Sequence, residues 1–243
     1  MTAEDNKYNN PSILEAVFEL RFPSTQPWEM RYFVEFSNLA KDNGFPILKD
    51  SPQQVQVTFK NNQEPIINRG ASHIQTWNVE NTKLWQAGQL LFAANQREPY
   101  SGWEDFRPHI IKGLRIYYDI VKIQKAESLS LRYINRIEFA DDELPDKLLN
   151  FLPSGIDYKK NPSNYVCRVE YDYENGEKII IISAKEDSNV KKNSIILELL
   201  YLKPNPELNI KEIESTIDRI HENIRHHFED LITDELRSRM EIK

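Results

Sequence analysis

The stretch that most restricts this chain is residues 127–139, Glu-Ser-Leu-Ser-Leu-Arg-Tyr-Ile-Asn-Arg-Ile-Glu-Phe. Leu129, Leu131, Tyr133, Asn135, Ile137 and Phe139 fall on one side of an extended strand. Ser130, Arg132, Ile134, Arg136 and Glu138 fall on the other. A two-residue period of this kind marks a strand buried on one face only. A second such strand stands near the start, at residues 13–22. There Leu14, Ala16, Phe18, Leu20 and Phe22 alternate with Glu15, Val17, Glu19 and Arg21.

The elements after each strand run in a similar order. Beyond the first, Trp28, Tyr32, Phe36 and Leu39 recur at helical spacing, with cap candidates at Ser24 to Pro27 and a stop at Gly44. Strand candidates come next at residues 55–59, 74–79 and 84–93, with turns at 61–62 and 81–82. Ser101 with Glu104 reads as a capping box. Trp103, Phe106, Ile110, Leu114, Tyr117 and Val121 then trace one helical face.

The mid-chain strand leads into a short helix expected at 144–152 and a loop at 153–162. Alternation resumes at 165–173, and Asn175-Gly176 is a hairpin signal, since both residues tolerate positive φ. Strands at 179–184 and 195–202 flank a polar turn at 188–193. Asn209 opens a long helix with the stripe Ile210, Ile213, Ile217, Ile220, Ile224, Phe228 and Leu231. Thr233 recaps a last turn. The predicted fold is therefore α+β: an antiparallel sheet with helices on one face. It would be one compact, saddle-like unit of two similar halves, residues 11–125 and 126–243. The two-copy saddle of the TATA-box-binding protein has this kind of order, an analogy of topology only.

Composition narrows the partners. The chain has 243 residues, 40% hydrophobic and 28% charged, enough to bury a substantial core. Its net charge of −7 argues against duplex DNA or a membrane surface, which need a positive field. The single cysteine, Cys167, allows no internal disulfide and no cysteine-based zinc site. The first residues are polar and acidic, unlike a signal peptide. No apolar run approaches the roughly 20 residues of a membrane helix. The expected compartment is the cytosol, with no membrane partner and a nucleic-acid partner disfavoured.

Glu15, Glu19 and Arg21 line the polar side of the early strand, and Arg132, Arg136 and Glu138 that of the mid-chain strand. If the two strands are neighbours, acids on one can meet arginines on the other. The ordinary outcome is cross-strand ion pairing, worth about 0.2–1 kcal/mol per pair. The sharper outcome is a polar groove in which the arginines act as anion forks. Asn135 stands apart because it lies on the apolar side, where a buried amide must find partners. A neighbouring backbone group is its ordinary partner. The candidate ligand-binding set is thus Arg132, Arg136, Glu15, Glu19 and Asn135.

Other groups carry weaker signals. His221 is five and six residues from His226 and His227, not the four that puts two ligands on one helical face. The expectation is a wet helix face and no metal. Asp141-Asp142-Glu143 could hold magnesium but reads first as a solvated turn. Cys167 alternates with apolar neighbours and reads as a small buried hydrophobe. Tyr100, Trp103, Tyr117 and Tyr118 cluster around one helix and read as core. The isoleucine stripe is expected to pack on the sheet, with a homodimer through this helix as the alternative. No nucleophile elbow, Walker loop or Rossmann fingerprint is present. No catalytic residue and no cofactor are predicted.

Three segments carry a resemblance. They are Pro11-Ser12-Ile13-Leu14-Glu15-Ala16-Val17-Phe18-Glu19-Leu20-Arg21-Phe22, then Tyr100-Ser101-Gly102-Trp103-Glu104-Asp105-Phe106, then Leu131-Arg132-Tyr133-Ile134-Asn135-Arg136-Ile137. Thr233-Asp234-Glu235-Leu236-Arg237 fits as well. With these the chain resembles, over nearly its whole length, an uncharacterised family of prokaryotic proteins scattered sporadically among bacteria and archaea. Ser12 before Ile13 departs slightly from that pattern. A patchy distribution implies mobile genes, often defence or toxin–antitoxin modules. The expected function is a non-catalytic interaction protein with a protein partner in such a system. The alternative is a nucleotide- or anion-binding protein, or a hydrolase of such a ligand, using Arg132 and Arg136.

Overall fold

The computed structural model describes residues 8–50, 55–58, 66–69, 73–160, 162–186 and 193–241. Its elements are β1 (Ile13–Arg21), α1 (Arg31–Asp42), β2 (Ile47–Asp50), β3 (Val55–Thr58), β4 (Ile66–Arg69), β5 (His73–Trp77), β6 (Lys83–Gly88), β7 (Leu91–Arg97) and α2 (Trp103–Val121), followed by β8 (Ser128–Phe139), β9 (Val166–Asp172), β10 (Lys178–Lys185), β11 (Asn193–Pro204), α3 (Ile210–Leu231) and α4 (Asp234–Met240). Phe59, the turn at 61–62 and most of that at 188–193 lie outside the described residues.

The two one-sided strands pair with each other. β1 runs antiparallel to β8, with Ala16 opposite Tyr133, Phe18 opposite Leu131 and Leu20 opposite Leu129. All six side chains are buried. Because the side-chain period is two, a slip of one residue would turn both apolar sets outward. The nine strands so joined run β2-β5-β6-β7-β1-β8-β11-β10-β9, every pair antiparallel. β3 and β4 pair separately. On each side of the β1–β8 seam the leading strand is followed by the last strand of its own half. The likeness is one of strand order. The helix expected at 144–152 is instead a single 3-10 turn, Pro145–Lys147, so α1 has no helical counterpart there. Pro145 supplies the start of that turn, and Leu148 and Leu149 are buried beyond it.

The helices share the apolar face. Phe36 of α1 meets Trp85, Phe92 and Tyr117. On α3, Ile213, Ile217, Ile220 and Ile224 are at most 3% exposed, each contributing about 1.5–3 kcal/mol. The isoleucine stripe thus faces the sheet. Trp85 is fully buried and lies 3.9 Å, centroid to centroid, from Phe45. Its indole passes so close to α2 that a Cβ on Gly113 would stand 2.3 Å from Trp85 Nε1. No helix among the described residues is long and apolar enough to cross a membrane.

Helix ends follow the expected chemistry in three cases of four. Gly44, at φ 96°, lies just past α1. Asn209 caps α3, its Oδ1 accepting from Lys211 N at 2.9 Å. Thr233 caps α4, accepting from Leu236 N at 3.4 Å. The capping box at Ser101 does not form. Gly102, at φ 104°, precedes α2, and Ser101 Oγ accepts from Gln96 Nε2 at 3.1 Å instead. At Asn175-Gly176 the β9–β10 hairpin closes through both residues at positive φ, with Tyr173 N donating to Glu177 O at 2.8 Å.

Candidate functional site

The polar side of the seam does not join acids of β1 to arginines of β8. The register sets Val17 opposite Arg132, Glu15 opposite Ile134 and Glu19 opposite Ser130. The arginines take partners elsewhere. Arg132 Nη2 donates to Glu198 Oε2 on β11 at 2.7 Å. Arg136 forks onto Glu186, Nε at 2.9 Å and Nη2 at 2.8 Å, with Ser194 Oγ donating to the same carboxylate at 2.6 Å. The Arg136 guanidinium holds Glu186 below the usual carboxylate range. Glu19 accepts from Arg21 Nε at 2.7 Å. Glu15 accepts from Asn95 Nδ2 at 2.8 Å, the end of an amide ladder running through Gln86 and Gln75 to Trp77. Both guanidinium groups are therefore already neutralised.

Asn135 belongs to the other face. It is 2% exposed. Its Nδ2 donates to Leu197 O at 3.1 Å, and its Oδ1 accepts from Ser12 Oγ at 3.0 Å. The predicted set thus separates: Asn135 lies under the helices, and Glu15, Glu19, Arg132 and Arg136 lie across the sheet from it.

Asn135 forms part of the floor of a cavity of about 450 Å³ over the β1–β8 seam. The approach to β1 forms one wall, including Pro11, Ser12 and Ile13. The loop between β7 and α2, with the first residues of α2, forms another, from Pro99 to Glu104. Tyr133 adds to the floor, and His221, Arg225, Phe228 and Glu229 of α3 close the far side. The cavity exists because α2 and α3 cover different halves of the sheet. They meet mainly at their polar edges: Trp103 Nε1 donates to Asp218 Oδ1 at 3.1 Å, and Arg107 reaches both Asp218 (Nε to Oδ1, 2.7 Å) and Glu214 (Nη2 to Oε2, 3.3 Å).

His221 is the chemical centre of this space. Its ring lies parallel to Trp103, centroids 4.3 Å apart and planes at 7°. Its Nδ1 is 3.0 Å from Tyr133 Oη, which is 3.4 Å from Tyr100 Oη. Burial depresses the imidazole from 6.5 to about 4, so it is neutral at physiological pH. Burial likewise pushes the Tyr100 and Tyr133 phenols up, so both stay protonated. The hydrogen bonds assign the tautomer. If Tyr100 donates to Tyr133 and Tyr133 donates to His221 Nδ1, both hydroxyl protons have acceptors. The reverse direction strands the Tyr100 proton. The relay therefore ends with the hydrogen on His221 Nε2, for which no described residue provides an acceptor.

The wet-face expectation for His221 is corrected: the residue is half-buried, with its ring stacked on Trp103 and bonded to Tyr133. The signal was present in the sequence: position 221 lies four residues after Ile217 and three before Ile224, inside the buried arc of α3. His226 does stay exposed, and His227 packs against Tyr171 and Tyr173. His109 is a core histidine, 6% exposed, stacked near Trp85 and depressed by burial to about 3. Glu143 of the acidic run pairs with Arg239. No group of acids, histidines or cysteine among the described residues is placed to hold a metal ion. Cys167 is half-buried.

The two hydroxyls nearest the floor and rim are occupied, Ser12 on Asn135 and Ser101 by Gln96. No described serine, threonine or cysteine is hydrogen-bonded to His221. What remains is an apolar, aromatic recess with a few fixed polar groups, the usual form of a ligand site. Comparison with models of known protein families, with curated proteins and with solved structures finds no match to this chain.

Proposed function

We propose that this protein is a non-catalytic binding module and that the cavity over the β1–β8 seam is its recognition site. One observation carries the reading. Segments far apart in the chain, Pro11 to Ile13, Tyr100 to Glu104, and Tyr133 with Asn135, line the same recess. They belong to the same three segments that carry the family resemblance. Packing alone would not require widely separated motifs to line one recess. The resemblance supports a partner protein encoded nearby in a mobile defence or toxin-neutralising system, and a cytosolic setting fits the chain's single cysteine and acidic charge. The anion reading at Arg132 and Arg136 has less support, since carboxylates already occupy both arginines.

The test is affinity capture from native lysate, comparing the wild-type chain with Trp103→Ala and His221→Phe. The expected result is a stable partner retained by the wild type and lost by both variants. A partner held equally by all three chains would move recognition away from the cavity.

A further inference from the structure

We infer that the seam cavity takes an uncharged planar group bearing a hydrogen-bond acceptor, such as a primary amide or a neutral aromatic ring with a carbonyl, which lies along the aromatic wall and accepts from His221 Nε2. This rests on the cavity being a binding site and adds what the site selects.

The wall chemistry makes the case. Trp103, Tyr100, Tyr133 and Phe228 present ring surface, which favours a flat partner. Among the described residues His221 Nδ1 is taken by Tyr133, so the ring offers its Nε2–H as a donor and the partner must accept. The fixed charges near the recess occur as pairs. Arg225 Nη2 lies 2.9 Å from Glu222 Oε2, and Arg237 Nε lies 2.9 Å from Glu229 Oε2. Glu104, exposed at the mouth, has an interaction of its own as well. A bound anion would meet a neutral imidazole and no surplus positive charge, and would lose its hydration without compensation. A bound cation would place positive charge against an N–H donor. A neutral acceptor avoids both costs.

The experiment uses three probes of nearly one shape and different charge: benzamide, benzoate and benzamidinium. Each is titrated into the full chain labelled with 15N-histidine at pH 7.5, following the His221 ring nitrogens. Benzamide is expected to move the Nε2 resonance saturably while Nδ1 stays hydrogen-bonded. Its affinity should fall at least tenfold in His221→Phe and remain in His226→Phe, whose ring is outside the recess. Preferred binding of benzoate or benzamidinium at His221 would overturn the ligand class and leave the cavity as a site. Benzamide binding that survives His221→Phe unchanged would overturn the donor role. Silence from all three probes would also overturn the inference, and capture of a partner sensitive to Trp103→Ala would then show the recognition site standing without it.

Discussion

Trp103 and His221 lie face to face across the mouth of the seam, one at the first position of α2 and the other midway along α3. Neither ring is held by its own helix alone. Asp218 takes the indole N–H and Tyr133 takes the imidazole, so the stack ties two helices to the floor of the sheet. Trp103→Ala removes the stack, one hydrogen bond and a wall of the cavity. For a half-buried Trp the expected loss is about 2–3 kcal/mol, below the roughly 3–5 of a full core truncation. Urea unfolding of the variant measures it, and an unchanged midpoint would show the stack to be idle.

Acid should weaken the fold through buried His109 and half-buried His221. Unfolded, His221 and His109 titrate near 6.5; folded, near about 4 and about 3. Between those values the unfolded chain binds more protons, so stability is complete above pH 6.5 and falls as pH drops toward 4. For His221 alone the shift corresponds to roughly 3 kcal/mol. Glu186, held below its usual range, adds its loss only at lower pH. Comparing wild type with His221→Phe between pH 7 and pH 4.5 isolates the histidine part: the wild-type melting temperature should fall more steeply.

Gly113→Ala sets two effects against each other. Alanine raises helix propensity by about 1 kcal/mol over glycine. Here its Cβ would enter the Trp85 indole, whose Nε1 is also bonded to His109 O at 3.1 Å. Overpacking a filled core costs about 1–3 kcal/mol. Since Trp85 is fully buried and cannot swing away, a net loss is expected, seen as a lower melting temperature and a changed near-ultraviolet dichroism.

Glu177 tests the strand end beside α3. It is 5% exposed and accepts from Tyr201 Oη at 2.7 Å, Lys203 Nζ at 2.8 Å and Arg219 Nη2 at 2.9 Å. Burial pushes its carboxyl up, but those donors outweigh it and keep the group below its usual range. Glu177→Ala leaves the cations of Lys203 and Arg219 without their shared partner. A loss of about 1.5–3 kcal/mol, the range for hydrogen bonds to charged groups, is expected by denaturant unfolding at pH 7.

Arg132→Ala and Arg136→Ala separate ion pairing from anion binding. Each should cost about 0.5–1 kcal/mol, the range of partly exposed pairs, with Arg136 the larger because its fork is bidentate. Adding inorganic phosphate or ATP should leave the wild-type melting temperature unchanged. A rise that both variants abolish would restore the anion reading.

Local pattern was enough for the scaffold. Period-two alternation identified β1 and β8, and 3.6-residue spacing identified α1, α2 and α3. Asn209 and Thr233 announced their caps because a cap is a contact within one turn. Even Asn135 showed itself, as the one polar residue on an apolar face. Where a signal depended on competition between near neighbours it failed: Ser101 found Gln96 rather than its own helix, and residues 144–152 were too few to extend the turn begun at Pro145 into a helix.

Pairing partners were a different matter. A strand's sequence says which side chains share a face, but not which residue of the next strand lies opposite, so Arg132 and Arg136 went to Glu198 and Glu186 rather than to Glu15 and Glu19. His221 acquired its neutral ring and its fixed tautomer only when Tyr133 and Trp103, about a hundred residues away in the chain, closed around it. Burial and hydrogen bonding are properties of position in space. The chain alone therefore settles what each segment becomes, and the folded arrangement settles what those segments enclose.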